Sequence, residues 1–220
     1  MRQNDWVVIP AKDEEKHIED VLIGCKRHCE NVIVVNDASS DDTSAIAKEY
    51  ALVVDRKRSF GKGSALKEGC DLAIRKGAKR LIVMDSDGQH DPDDIPRFLK
   101  NLEGKDIVFG SRKFDGKMPV LMFIGNWFIS LVSKLFFGVK VKDTQSGFRA
   151  FTSSAYEKIR WKSRDYSMES EMIARAGKNK LKYSEIFIKT VYHDNNKGTT
   201  VLDGVRIVSD MFRWKLGGLR

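Results

Sequence analysis

The sequence predicts an α/β fold: a doubly wound, mostly parallel sheet with helices on both faces. Three observations carry that prediction. Short apolar runs alternate with helix-length amphipathic segments from Asp5 to Gly110. The runs are continuously apolar, as strands must be when both sheet faces are covered. Polar loops rich in Asp and Gly follow the runs, where a doubly wound sheet places its ligands at the carboxyl ends of strands.

In order, Asp5–Pro10 (DWVVIP) reads as a first strand, and Glu14–Cys25 as a helix with Ile18, Val21 and Leu22 on one face. Asn31–Asn36 (NVIVVN) is a second strand, followed by a helix over Thr43–Tyr50 with Asp41 or Asp42 as its N-cap. Ala51–Asp55 is a third strand and Arg56–Gly63 a basic, glycine-punctuated loop, after which a helix runs to about Lys76. Leu81–Met84 is a fourth strand, Pro92–Leu102 a helix and Asp106–Gly110 a fifth strand. No repeat, linker or low-complexity segment interrupts residues 1–220, so one domain is expected.

Beyond Gly110 the character changes. Leu121–Phe137 is the most apolar stretch; as a helix it would span roughly 26 Å, short of a hydrocarbon core of ~30 Å. Asn126, Ser130, Ser133 and Lys134 recur along it as one polar stripe, which suits an interfacial helix or one packed on the domain. Val201–Leu216 repeats the theme, with Val201, Val205, Val208 and Phe212 on one face and Asp203, Arg206, Asp210 and Arg213 on the other. Trp214, Lys215 and Arg220 give it an aromatic, basic end suited to anionic headgroups. Membrane-surface docking, ordinary packing, and pairing in a homo-oligomer or with a membrane-spanning partner all produce this pattern.

The chain has 220 residues, 41% hydrophobic and 32% charged, enough for one globular core. Its net charge of +8 favours anionic partners. Nucleic acid is disfavoured, because aromatic residues are not interleaved with the basic ones. No signal peptide is visible at the N-terminus, and three cysteines form no even disulfide framework, which suits a reducing compartment. Cys25, His28 and Cys29 fall within a helix without a second ligand pair, so buried thiols are expected there rather than a metal.

The chemistry gathers at strand ends. Asp85 and Asp87, two apart after the Leu81 strand, point to one side of an extended backbone. There they can hold a hard divalent cation, which in turn holds a diphosphate. A solvated turn is the plainer reading of Asp-Ser-Asp-Gly alone. PAKDE (Pro10–Glu14) ends the first strand and NDASSDDT (Asn36–Thr43) the second, where Asp37 can accept hydrogen bonds from a ribose or base edge. GKG (Gly61–Gly63) opens a helix, so its amides and Lys62 are placed to meet phosphates.

PAKDE, VNDASSDDT, GKG, DSDGQ, GSR (Gly110–Arg112) and DTQSGFRAF (Asp143–Phe151) together resemble the family-two glycosyltransferases of GT-A fold. Within them, the dolichol-phosphate mannose synthase-like branch is the most similar. The resemblance runs from about Trp6 to Phe151, and more weakly to Thr200. It implies a nucleotide-sugar half over about residues 1–112 and an acceptor half over about 113–220. It implies a UDP- or GDP-linked donor bound by Pro10, Lys12, Glu14, Asp37, Lys62, Asp85 and Ser86. Mg²⁺ or Mn²⁺ would be held by Asp85, Asp87 and Gln89, and an acceptor phosphate by Arg112, Ser146 and Arg149. Lys197 in the YHDNNKGTT loop would approach the phosphates, joining Asp87, Arg112 and Arg149 as the catalytic set, with His193 a weaker metal candidate. Asp13 stands where many relatives carry Asn, and Asn36 replaces the first Asp of an Asp-Asp pair. DMFRW (Asp210–Trp214) half-matches the Q-x-x-R-W signature of processive synthases but lacks its Gln.

The implied reaction is an inverting transfer to a polyprenyl (dolichyl-type) phosphate, peripheral on the cytoplasmic face of a membrane. A hydroxyl acceptor would need a base, for which Asp143, Glu169 and Glu171 are the candidates. A nucleotidyltransferase shares such a sheet, but no glycine-rich triphosphate loop stands near residue 10. A non-catalytic basic membrane-surface module would leave Asp85, Asp87 and Gln89 unexplained.

Overall fold

The computed structural model describes residues 4–112, 120–190, 201–217 and 219. Seven strands form one sheet: β1 (Asp5–Ala11), β2 (Asn31–Asn36), β3 (Leu52–Asp55), β4 (Arg80–Val83), β5 (Ile107–Arg112), β6 (Arg149–Thr152) and β7 (Tyr183–Ile188). Their order is β3-β2-β1-β4-β6-β5-β7. β1 to β4 pair in parallel, and β7 is parallel to β5. β6 lies antiparallel between β4 and β5. The expected mostly parallel, doubly wound sheet is therefore present, with two strands that the sequence did not reveal, the inserted β6 and the edge strand β7. RAFT is four residues long and opens on an arginine, so no apolar run marks it.

The helices are α1 (Ile18–His28), α2 (Thr43–Lys48), α3 (Lys62–Arg75), α4 (Ile95–Asn101), α5 (Val120–Phe137), α6 (Ser153–Ile159), α7 (Ser167–Lys178) and α8 (Val201–Gly217). Continuous apolar strands follow from two cores, one on each face. Val8, Ile33, Val35, Leu81, Val83 and Phe109 pack with α3, α6 and α7. Their alternate neighbours Val7, Ile9, Val34, Ile82 and Val108 pack with α1 and α4.

Element ends moved for local reasons. α1 begins at Ile18 rather than Glu14, because Asp13 has a φ of 53° and the Glu14 carbonyl first closes a turn with the amides of His17 and Ile18. It continues to His28, and the Cys29 amide still donates to Cys25. The expected helix from Pro92 opens as a 3₁₀ turn over Pro92–Asp94 before α4. Asp42 holds the N-cap position of α2 without a side-chain capping bond; the Asp41 carboxylate instead accepts from the Thr43 amide at 3.1 Å. Cys25, Cys29 and Cys70 are buried, and His28 pairs with Asp93 at 2.6 Å.

The two late helices pack on each other through Ile129, Val132, Ile207 and Met211. α7 meets the end of α5 so closely that a Cβ at Gly177 would lie 2.1 Å from the Phe137 carbonyl. Apart from Lys134, which is exposed, the α5 stripe is inverted relative to a water-facing one. Asn126 and Ser130 turn inward onto the Lys142–Thr144 loop and Ser133 is buried, while Ile124, Trp127, Phe128, Leu131 and Leu135 are exposed. In α8 the packed face is Ile207 and Met211, and the expected face is open at Val205 and Phe212. Val208 of the expected face also packs against this cluster, so the buried face is the expected one turned toward Ile207 and Met211. Among the described residues no helix is long and apolar enough to cross a membrane.

Candidate active site

The ends of β1, β2 and β4 meet at one edge. Ser86 donates its hydroxyl to the Pro10 carbonyl at 2.9 Å, tying the DSDGQ loop to the first motif. Glu14 is half-buried, its amide donating to Thr43 Oγ1 at 2.8 Å, while Lys12 is exposed. The Asp13 carboxylate accepts from the Ser40 amide at 2.8 Å, which fastens the two loops together. Asp13 and Ala38 both adopt positive φ, the kind of backbone strain that clusters at functional sites.

Asp37 is placed at this edge, but its carboxylate is already saturated. Arg56 Nη1 and the Phe60 amide donate to Oδ1 at 2.8 and 3.1 Å; Ser59 Oγ and the Gly61 amide donate to Oδ2 at 2.6 and 3.0 Å. Burial alone would raise its pKa, yet these donors hold the carboxyl below its usual range. Asp37 therefore organises the basic loop from inside, and a ribose or base would have to displace one of these donors to bond it. Arg56 also meets Glu68 at 2.7 Å. Outside it, Arg58, Phe60, Lys67, Lys162 and Arg164 line a cleft of about 810 Å³ in which cations outnumber Asp55 and Glu68. Such a field favours an anionic ligand.

The GKG expectation changes more. The Gly63 and Ser64 amides donate to the Arg164 carbonyl at 2.9 and 3.3 Å, so the start of α3 is capped by protein and not open to phosphate. Gly61, with φ 92°, lets the chain pass within Cβ distance of that carbonyl, where any side chain would collide at 2.4 Å. Lys62 does enter the site. Its ammonium lies 2.7 Å from Asp85 Oδ1 and 3.0 Å from Glu169 Oε1. Burial opposes that charge, but the two carboxylates outweigh it and hold the Lys62 pKa well above normal.

Asp85 Oδ2 faces His90 Nε2 at 3.4 Å. Burial would raise its pKa, but Lys62 and His90 drive it well down, so Asp85 is a fixed anion. Asp87 is half-buried and accepts from the Gln89 amide at 3.0 Å, closing the turn. Among the described residues no three His, Cys, Asp or Glu side chains gather as a metal set. Asp85, Asp87 and the Gln89 amide oxygen are nevertheless hard oxygen donors that suit Mg²⁺ or Mn²⁺. The ammonium on Asp85 shows that this spot already holds positive charge.

On the acceptor side, Arg112 ends β5 and is gripped by Asp143, with Nε to Oδ2 at 2.6 Å and Nη2 to Oδ1 at 3.0 Å. Ser146 and Arg149, expected at the acceptor phosphate, are both buried. Arg149 is 1% exposed and donates to the carbonyls of Ser146, Glu169 and Thr144 at 3.1, 2.7 and 2.8 Å, over the Phe109 ring. Burial pushes its pKa down to about 10, against Glu169, Asp143 and Asp85. It is a strut between the DTQSGF loop and α7. Glu171 is likewise spent, accepting from the Lys162 and Ser163 amides and from Arg175. Lys197 and His193 lie outside the described residues.

Sequence reasoning missed His90 as the neighbour of Asp85 and treated Glu169 only as a candidate base. His90 directly follows DSDGQ, which was the available signal; nothing local marks Glu169.

Comparison with known proteins fits this geometry. The Glycosyl transferase family 2 profile matches residues 6–160, from β1 through α6. The chain belongs to glycosyltransferase family 2. As a family 2 glycosyltransferase it is similar to the UDP-N-acetylglucosamine–dolichyl-phosphate N-acetylglucosaminyltransferase of Methanococcus voltae, at 32% identity over 96% of this chain and 96% of that one. It is also similar to the polyprenol monophosphomannose synthase of Mycolicibacterium smegmatis, at 28% identity over 99% of this chain and 88% of that one. Among solved structures, glucosyl-3-phosphoglycerate synthase from Mycobacterium tuberculosis superposes with a TM-score of 0.76 at 20% identity, over 96% of this chain and 80% of that one. That likeness supports the GT-A fold of this glycosyltransferase.

Proposed function

We propose that this glycosyltransferase moves a sugar from a UDP- or GDP-linked donor to a polyprenyl phosphate at a membrane surface, with inversion at the anomeric carbon. The observation that carries the reading is the arrangement of α5. Asn126 and Ser130 hold the loop beside Arg112 and Asp143, while Ile124, Trp127 and Leu135 on the same helix are 53%, 57% and 68% exposed. A lipid phosphate would bring its anion to that loop and its chain along that apolar face. The names of the two relatives support the same acceptor class.

The carboxylates support a phosphate over a hydroxyl acceptor. Asp143 is paired with Arg112, Glu171 with amides and Arg175, and Glu169 with Lys62, so each candidate base is engaged. A phosphate monoester is largely dianionic near neutral pH, its second pKa being about 6, and needs no base. In the reaction an acceptor phosphate oxygen bonds to the anomeric carbon as the bond to the donor's β-phosphate oxygen breaks. The electron pair leaves with the nucleoside diphosphate.

A divalent cation held by Asp85, Asp87 and Gln89 would neutralise charge on the departing diphosphate. The protein's own contribution is to fix those three ligands at the end of β4, to orient Arg112 through Asp143, and to supply the basic loop organised by Asp37. The site then works from the membrane face that meets nucleotide-sugars, the cytoplasmic one. A spanning partner or a second copy covering α5 would compete with the lipid surface.

The test is transfer of radiolabelled sugar from a panel of UDP- and GDP-sugars, with Mg²⁺ or Mn²⁺, to polyprenyl phosphate in vesicles. Label in an organic-extractable, acid-labile lipid is the expected result. Metal-dependent donor hydrolysis with no lipid label would remove the acceptor assignment.

A further inference from the structure

The Lys62 ammonium bridges two carboxylates from distant parts of the chain, Asp85 after β4 and Glu169 on α7. Lys62 and Asp85 side chains are each 22% exposed, so the bridge sits at the mouth of the site. Glu169 closes it from below: it is 1% exposed, and the Lys62 ammonium is the one donor near its oxygens among the described residues. A buried carboxylate without other donors persists only beside positive charge; Lys62 touches it directly, and the buried Arg149 adds a second cation nearby. Asp85 is thus not an open metal ligand in the free protein. One of its oxygens carries a resident cation, which the Glu169 carboxylate also contacts from α7.

We propose that Lys62 is an internal cation that shares Asp85 with the divalent metal, and that Glu169 is the residue that positions it. With the ammonium on Asp85 Oδ1, a metal arriving alone meets a like charge within a few ångströms, which weakens its binding. A donor diphosphate offers the ammonium a second anion within reach of its four-carbon stem. Metal and donor therefore bind as a pair, each removing the obstacle to the other. The proposal rests on the metal reading given under Proposed function.

The experiment is Mn²⁺ binding followed by the loss of the free-ion electron paramagnetic resonance signal, without sugar transfer. It is run with Mn²⁺ alone and with UDP or GDP. Three variants are compared: Lys62→Gln, Lys62→Arg, and a charge-balanced Lys62→Met/Glu169→Met pair, which removes both buried charges together should the single variant not fold. In the wild-type protein Mn²⁺ alone binds weakly and a nucleoside diphosphate tightens it. In Lys62→Gln and in the balanced pair, Mn²⁺ alone binds about tenfold tighter or more. Metal-free nucleoside diphosphate binding, read by calorimetry, weakens in the same variants, whereas Lys62→Arg keeps the weak wild-type Mn²⁺ affinity. Unchanged or lower Mn²⁺ affinity in a folded variant lacking the ammonium overturns the inference and leaves the metal site standing. No Mn²⁺ binding to any form, with either nucleotide, overturns the metal site and the inference together.

Discussion

The Asp85 carboxylate rests directly on Gly147: a Cβ built at that glycine would lie 2.6 Å from both carboxylate oxygens. A carboxylate central to the donor side is therefore held in place by the backbone of the acceptor loop, and only glycine leaves it room. Gly147→Ala is expected to tilt Asp85 out of its position. A displacement of about 1 Å can cost on the order of a hundredfold in turnover. Steady-state kinetics beside thermal melting checks this, and a kcat drop at near-normal Tm is the expected outcome.

Asp87 differs from Asp85 in having no ion pair among the described residues; its carboxylate accepts from the Gln89 amide at 3.0 Å. Asp87→Asn keeps the shape and removes the charge. Turnover should fall on the order of a hundredfold or more, as when a transition-state charge clamp is lost. Near-normal kcat would remove Asp87 from the metal set.

Arg149 provides a stability test. Replacing it with Met leaves the carbonyls of Ser146, Glu169 and Thr144 without that donor and removes a positive charge near Glu169 and Asp85. Breaking such a buried arrangement costs about 3–5 kcal/mol. Urea denaturation of Arg149→Met should show that loss. A raised acceptor KM with unchanged stability would instead make Arg149 a phosphate ligand.

Asp37 and Asp143 predict the acid limb of stability. Burial opposes ionisation of both, but Ser59 and Arg56 hold Asp37 below the usual carboxyl range, and Arg112 does the same for Asp143. A depressed folded-state pKa stabilises the protein fully above the unfolded value, about 3.9 for Asp. That contribution disappears as pH falls through the lower folded value. Urea midpoints measured from about pH 6 to about pH 3 should fall, and Asp37→Asn should flatten the slope at the acid end while lowering the plateau.

The apolar face of α5 predicts vesicle binding. Trp127→Ser with Leu135→Ser removes two of its exposed side chains without touching Ile129 or Val132, which are buried. Co-sedimentation with anionic vesicles should drop while Tm stays within a few degrees. Unchanged sedimentation accompanied by a smaller oligomer in light scattering would assign the face to a second copy.

The sequence by itself determined the parallel half of the sheet, the two covering layers and the edge where the motifs collect. Val7 to Ile9, Val32 to Val35 and Leu81 to Val83 are unbroken apolar runs, and such runs encode a doubly covered strand locally. The motif glycines and aspartates lay beside those runs, so the strand ends placed them. Tertiary structure alone decided what each charged side chain meets. β6 could not be read because its place between β4 and β5 depends on long-range pairing. Arg149 looked like a phosphate ligand and Asp37 like a free acceptor, since a sequence shows residue types and not the partners that saturate them. Lys62 was expected to meet phosphate and sits instead between Asp85 and Glu169. Coulombic energy depends on distance through space, and only the folded chain sets that distance.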